Sequence, residues 1–480
     1  MRGDATLPAG RFEAAEGRDW YRIDGYDLLD PFLVQLVTPT DQWAFVSSSG
    51  ALTAGRRSSQ EALFPYETDD RLHRSGGRVG PLTVVAIGSE VWEPFATHGP
   101  LDEVQRSIAK TVEGDRLRFE EHHPGRGLTF RSTWATADRF GLVRTCELLR
   151  TGDGEPVAAT VLDGLLDVLP AGVEPAAQAT SSTLVDAYRR SELDGTSGLA
   201  LFTLEALLSD RPEPAESLRA SVVWSAGLDD PVIALSDAGV RRFRSGGGLE
   251  PEHLVTGRKG CFLVSAPVVV TAGSPVSWMI AADTGYDHGD VTRLRSRLLE
   301  GRDPRPEVAV AIDGTGYEVV RIVSGADARQ VTADRAATAH HFAHVLFNSM
   351  RGGVFPAGYE VSPSEVERFV AGRNRDAAPR FAASTADLDP VGDYRDIAAA
   401  VAGDTDLERL VAEYLPLAFS RRHGDPSRPW NTFTISPGAG YEGNWRDIFQ
   451  NWEALLHSYP GYLGPVIAKF LNASTVDGFN

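Results

Sequence analysis

Between Asp30 and about residue 300 the chain is written in short apolar or alternating runs, each closed by Gly, Pro, Asp or Ser. Runs of this kind occupy 31–50, 81–95, 117–134, 140–149, 154–170, 218–228, 260–273 and 276–285. In 117–134, Leu117 and Phe119, then Leu128, Phe130 and Ser132, alternate at period two on either side of a His-Pro-Gly turn. That pattern predicts an antiparallel hairpin. Many strands at short intervals, with only brief helical patches between them, predict a large antiparallel β-sandwich rather than βαβ units. Residues 1 to about 30 read as a lead-in, with Trp20, Tyr21 and Tyr26 marking the first strand, and one or two last strands are expected within 308–323. His122 and His123 fall at the hairpin turn and are expected at the surface.

The period then changes. Over 331–353 the apolar positions Ala336, Ala339, Phe342, Ala343, Leu346, Phe347 and Met350 form a helical stripe, with Thr332 as N-cap and Gly352 or Gly353 as the stop. Further helices are predicted from Ser362 or Pro363 and from Asp393–Asp396 onward through Leu417, with 377–393 as loop between them. A long loop dense in Pro, Gly, Arg and aromatics follows over 420–443, and loops of that length in compact domains are usually functional. The organisation is therefore β then α: a sandwich over 1–325, a helical linker and loop region over 326–430, and a second helical region opening over 431–480.

A chain of 480 residues exceeds what one core normally serves, so two or more domains are expected. The net charge of -19 repels phosphate backbones and anionic lipid, which argues against nucleic acid and membrane partners and leaves neutral molecules such as carbohydrate. The two cysteines, Cys146 and Cys261, lie in apolar strand-like runs and are expected as buried free thiols of a reducing compartment. With no secretory leader pattern at the N-terminus and no apolar stretch of membrane-spanning length, a cytoplasmic protein is expected. His340 and His344 share a helix at a spacing that suits two metal ligands, but no third ligand accompanies them, so no metal is assigned. No dinucleotide fingerprint, P-loop or nucleophile elbow is present, and no cofactor is expected.

The richest stretch is Gly440 to Glu453. Trp445, Ile448, Phe449, Trp452 and Leu455 fall on one side of a helix, while Arg446, Asp447, Gln450 and Asn451 share the other. Arg446 with Gln450 and Asp447 with Asn451 stack one turn apart, and a guanidinium beside a carboxylate grips neighbouring sugar hydroxyls in a fixed orientation. The plainer reading, an Arg/Asp pair at a helix start with the acid complementing the helix dipole, stands beside it. Upstream, Trp430 offers a flat face for stacking on a pyranose and Arg428 a further hydroxyl grip, against the alternative of a loop salt-bridged to itself. In 64–70, Tyr66 and Asp70 combine an aromatic and an acid in an ordinary turn composition.

The run Trp445-Arg446-Asp447-Ile448-Phe449-Gln450-Asn451 resembles the Gly-Phe-Arg-Asp-Ser-Asn-Gln-Asp motif of the cellobiose phosphorylase-like family of inverting glycoside phosphorylases and hydrolases, with Asn451 where the family has Asp. The resemblance implies that 431–480 opens an (α/α)6 barrel, that Arg446 and Asp447 hold the non-reducing-end sugar, and that loops of the β-domain bring Tyr66 and Asp70 toward the substrate. It implies inverting cleavage of a gluco-oligosaccharide by inorganic phosphate, as co-substrate, or by water. In that family the general acid and the phosphate-binding residues come from barrel helices further downstream, so no catalytic residue is assigned here. Because the barrel is incomplete at Asn480, the expectation is a portion of a longer protein, inactive alone. The alternative is a stand-alone carbohydrate-binding or assembly protein without catalysis, with a second copy of the chain covering its helical faces as a homodimer.

Overall fold

A computed structural model describes residues 8–96, 103–206, 218–326, 328–420, 435–437, 452–453 and 455–478. These fall into two compact units, and the division comes at Gly316 and Tyr317, inside the helix Arg305–Ser324.

The first unit is the expected antiparallel sandwich. Its larger sheet has eleven strands in the order Ala9–Ala15, Arg18–Asp24, Gln105–Thr111, Arg116–His123, Leu128–Ala137, Gly141–Arg150, Val276–Tyr286, Ala220–Ala226, Leu199–Leu204, Arg189–Asp194 and Leu254–Thr256. The smaller has five, in the order Val232–Ala234, Gly260–Val270, Val157–Val168, Gly80–Ile87 and Glu90–Trp92. A three-stranded sheet over 33–56 packs its Leu36, Ala44 and Val46 into the same core. Between the two main sheets lie Leu117, Phe119, Phe130, Trp134, Cys146, Trp278 and Ile280 from one side and Val85, Val161, Leu165, Phe262 and Val264 from the other.

The outer faces are covered too. Helix His288–Leu298 and the first half of Arg305–Ser324 set Leu294, Val308 and Ile312 against Ala135, Val143, Trp224 and Met279 of the large sheet. The short helix Val240–Arg244 lays Val240 and Phe243 on Leu82, Leu162 and Leu263 of the small one. Strands covered on both faces lose their alternation, which is why 260–270 is apolar nearly throughout.

A polar cluster crosses the middle of the sandwich, and a second pair, Arg189 with Asp167, joins the same two sheets at 2.8 Å. Arg144, 2% exposed in its side chain, donates to the fully buried Asp163 of the opposite sheet at 2.6 Å, to Ser132 Oγ at 3.0 Å and to Thr83 Oγ1 at 2.9 Å. Asp163 also accepts from Thr83 at 2.6 Å and from the Trp278 indole at 2.7 Å. Burial works against the charged guanidinium, but the carboxylate beside it outweighs that, and the Arg144 pKa moves upward.

Several expectations are corrected. Residues 308–323 are helical, with burial at Val308, Ile312, Thr315, Val319 and Ile322. A strand would have turned Val310 inward, whereas it is 71% exposed. Gly316, unfavourable in a helix, is there because a Cβ would meet Asp115 Oδ2 at 2.1 Å. The lead-in is a hairpin closed at Glu16 and Gly17, both at positive φ, and Arg118 lies 4.1 Å over the buried Trp20 ring. His123 is buried with its ring edge on Trp92, and His122 bonds Thr129, because both still belong to the strand before the turn.

In the second unit, helix Arg335–Gly352 is capped by Asp334, not Thr332: the carboxylate accepts from Ala336 and Ala337, while Thr332 donates to the Asp334 carbonyl. Gly353, at φ 87°, stops it. Helix Pro363–Arg373 begins as expected, but the expected loop contains helix Ala378–Ser384. The expected single helix from Asp393–Asp396 onward is two, Tyr394–Ala400 and Thr405–Ala412, each capped by its own aspartate, Asp393 and Asp404. The ends of the long loop pair as short antiparallel strands, Ala418–Ser420 with Ile435–Pro437. Among the described residues, no helix is long and apolar enough to cross a membrane.

Two measurements follow from the core. Arg144→Met strands a buried carboxylate and is expected to lower stability in urea unfolding by about 3–5 kcal/mol, with much of that recovered in Arg144→Met/Asp163→Leu; a single variant within about 1 kcal/mol of the parent contradicts the strut. Both cysteines are buried and free, with burial pushing the Cys261 thiol up to about 12 and Cys146 well above the thiol range. Iodoacetamide should leave both untouched in the native protein and modify both in denaturant; native labelling of either refutes their burial.

Candidate functional site

The six sequence-predicted sugar contacts, Arg428, Trp430, Arg446, Asp447, Gln450 and Asn451, lie outside the described residues. What the structure does describe is the anchor directly after them in sequence. Trp452 is 2% exposed, and its indole N–H donates to the Gly352 carbonyl at 2.6 Å, at the C-terminal end of helix Arg335–Gly352. Leu455, one turn on, is buried as well. The apolar side expected for this helix is thus buried where it is described.

The chain then runs into an aromatic cluster. Tyr462 stacks on Phe355 with ring centroids 4.4 Å apart, lies 5.0 Å from Tyr359 and 5.4 Å from Tyr394, and donates its hydroxyl to the Gly358 carbonyl at 2.9 Å. Tyr459 sets its edge against both Phe355 and Tyr359 at 5.5 Å. The Gly461 amide donates to the Tyr359 hydroxyl at 2.8 Å, an approach that requires glycine, since a Cβ there would meet the Tyr359 ring at 2.8 Å. The Tyr394 hydroxyl goes to the Val411 carbonyl at 2.9 Å, and burial pushes its pKa up to about 12. Each of these partners is a backbone group, so the cluster locks the 355–359 and 459–462 segments together. The half-exposed rings of Tyr359 and Tyr459 form its outer side, with the Arg395 guanidinium 5.3 Å from the Tyr359 centroid.

Arg395 grips Asp393 through two hydrogen bonds, 2.9 and 2.6 Å, and holds its carboxyl down at about 2. An acid so held is an acceptor, not a proton donor. Among the described residues, the carboxylates whose pKa departs from its ordinary value, Asp70, Glu120, Asp194, Asp287, Asp303, Asp393 and Asp404, all move downward. A general acid for glycoside cleavage needs the opposite shift.

Of the weaker candidates, Tyr66 packs edge-on against Trp43, and Asp70 accepts from Thr68 in the first turn of helix Asp69–His73. His340 and His344 are exposed, and no group of three metal-ligating side chains occurs among the described residues. Sequence reading missed Thr83, Ser132, Arg144 and Asp163, four polar groups that meet inside the sandwich. The available signal was a lone charge at the inward phase of an otherwise apolar strand, Arg144 between Leu142 and Cys146 and Asp163 between Val161 and Leu165.

No protein-family model matches the chain, and no curated protein matches it either. Among solved structures it is similar to a bacterial glucoamylase complexed with acarbose, at 8% identity and TM-score 0.38, covering 96% of this chain and 68% of that one. It is also similar to a protein from the human microbiome named as a kojibiose phosphorylase, at 8% identity and TM-score 0.36, over 95% of this chain and 57% of that one. A GalM/aldose epimerase homologue from C. elegans matches at 10% identity and TM-score 0.31, over 54% of this chain and all of that one.

Proposed function

We propose that this chain serves the cleavage of a glycosidic bond in a gluco-oligosaccharide with inversion, and that it binds the non-reducing-end sugar. The observation that carries the reading is the Arg446-Asp447 pair with Gln450 and Asn451, set in sequence just ahead of an indole buried and bonded at Gly352, in a chain that is sandwich first and helices after. A buried anchor five residues after Asp447 in sequence favours the rigidity that orienting a sugar demands.

In this reading Arg446 donates to two adjacent hydroxyls and Asp447 accepts from one. Gln450 and Asn451 hold that pair in place, Trp430 stacks on the ring, and Arg428 adds a grip at its edge. Inversion then needs a proton on the leaving oxygen and a nucleophile, inorganic phosphate or water, on the opposite face of the ring. No residue of this chain is assigned as the proton donor.

A second reading is oligosaccharide binding without chemistry, by an assembly of two copies. Leu463, Ile467 and Leu471, four apart on helix Leu463–Ala473, are 49%, 49% and 61% exposed, an apolar stripe that suits assembly with a second copy.

The test is a panel of gluco-oligosaccharides offered to the complete native gene product with and without phosphate, following both binding and turnover. Phosphate-dependent release of a sugar phosphate is expected, reduced about 100-fold in Asp447→Asn with the fold unchanged by circular dichroism. Turnover without phosphate assigns hydrolysis. Binding lost in Asp447→Asn with no turnover in either condition assigns the binding protein, and binding or turnover indifferent to Asp447→Asn removes the proposed site.

A further inference from the structure

The sandwich holds a cavity of about 300 Å³ between its two main sheets, opening among the segments 49–50, 76–78 and 93–96. That volume lies at the lower end of small-molecule sites. Its walls are aromatic and apolar: Trp134, Phe119 and Tyr26 are at most 4% exposed, with Phe95 and Leu82 beside them. Its base is Arg144, Ser132 and Thr83.

A count of protons at the base shows what it lacks. Arg144 has five N–H donors, of which one goes to Ser132, one to Asp163 and one to Thr83, leaving two. Thr83 gives its own proton to Asp163. Ser132 accepts from Arg144, and its hydroxyl proton has no acceptor among the described residues. The acceptors are already committed: Asp163 Oδ1 takes Arg144 and Thr83, and Oδ2 takes the Trp278 indole and the Cys146 thiol. The base is therefore short of acceptors, in a place where unmatched donors are expensive.

The charges point the same way. Arg144 at the base and Arg78 and Arg244 at the rim face two carboxylates, Asp163 and Glu93. Glu93 is taken up by Arg244 through two hydrogen bonds of 2.7 and 2.8 Å, while Arg78 is exposed and has no ion pair among the described residues. One positive charge is left over around the cavity, in a chain of net charge -19.

We propose that this cavity binds a small organic carboxylate with a flat apolar body, its oxygens accepting from Arg144 and Ser132 and its body held between Trp134, Phe119 and Tyr26. A carboxylate supplies the missing acceptors and offsets the surplus charge, and a guanidinium matches its two oxygens in one plane. The flat body suits a slot whose side walls offer the ring faces of Trp134, Phe119 and Tyr26. This site is independent of the proposed sugar contacts, so its failure leaves that reading untouched.

The experiment titrates the full chain with benzoate and, in parallel, with neutral benzamide and with glucuronate, by calorimetry and by Trp fluorescence. Saturable one-to-one binding of benzoate is expected, with benzamide and glucuronate each at least tenfold weaker. Ser132→Ala should weaken benzoate roughly tenfold by removing one donor to a charged acceptor. Arg78→Gln, at an exposed position that leaves the core intact, should weaken it several-fold and flatten its salt dependence. Absence of saturable benzoate binding, equal affinity for benzamide, tighter binding of glucuronate, or benzoate affinity unchanged in both variants would each overturn the assignment.

Discussion

Buried ion pairs tie the two sheets of the sandwich together, Arg189 with Asp167 and, at the centre of the core, Arg144 with Asp163. Arg144 and Asp163 come from opposite sheets, both are withdrawn from water, and the desolvation that costs is met by close geometry and by Ser132, Thr83 and Trp278 as further partners. The pair also divides the interior. On one side of it lie Trp134, Leu142, Leu165 and Ile280; on the other lie Phe130, Cys146, Val161 and Trp278. Because side chains alternate faces along a strand, a slip of one residue in Gly141–Arg150 would turn Arg144 outward and leave Asp163 alone in the core. The same slip would also turn the strand's apolar set to the opposite face, so the polar and apolar positions specify one register together. The polar strut therefore fixes how the two sheets align as much as it holds them together.

The strands were legible because their turns are: Gly, Pro and Asp close nearly every run, and the hairpin 116–137 lies where alternation placed it. The faults have physical causes. In 308–323, Val and Ile at high density suggest strands, yet what decides is which positions find a surface to cover, and 308, 312, 315, 319 and 322 follow each other at three or four residues. Asp334 and Asp404 each reach the amides two and three residues on, and Asp393 the amide two on, which splits a supposed single helix and moves another's beginning. His123 was placed at the surface because the turn was read too wide; the strand runs through it and buries the ring.

The site was legible in a different way. Residue types and spacing at 445–451 suggest a sugar grip, and burial of Trp452 and Leu455 agrees with the apolar side of that helix. What no sequence pattern disclosed is the aromatic knot beyond it. Phe355, Tyr359, Tyr394, Tyr459 and Tyr462 are spread over about a hundred residues, and only the fold brings them together. The hydroxyls of Tyr359, Tyr394 and Tyr462 each bond a backbone group, so the cluster gains rigidity.

The interior of the sandwich has the opposite accounting. There the polar groups come from side chains on different strands, and the guanidinium outnumbers its acceptors. Phe130 and Trp134 each approach the Arg144 guanidinium at 5.8 Å, so they stand around the charge and cannot fill the space directly at its N–H groups. Apolar residues cannot close that gap without stranding donors, and a second buried carboxylate would unbalance the pair with Asp163. A space bounded in this way persists by construction. It is open at the rim, lined by rings and short of acceptors at its base, and each of those properties follows from placing one arginine between two sheets.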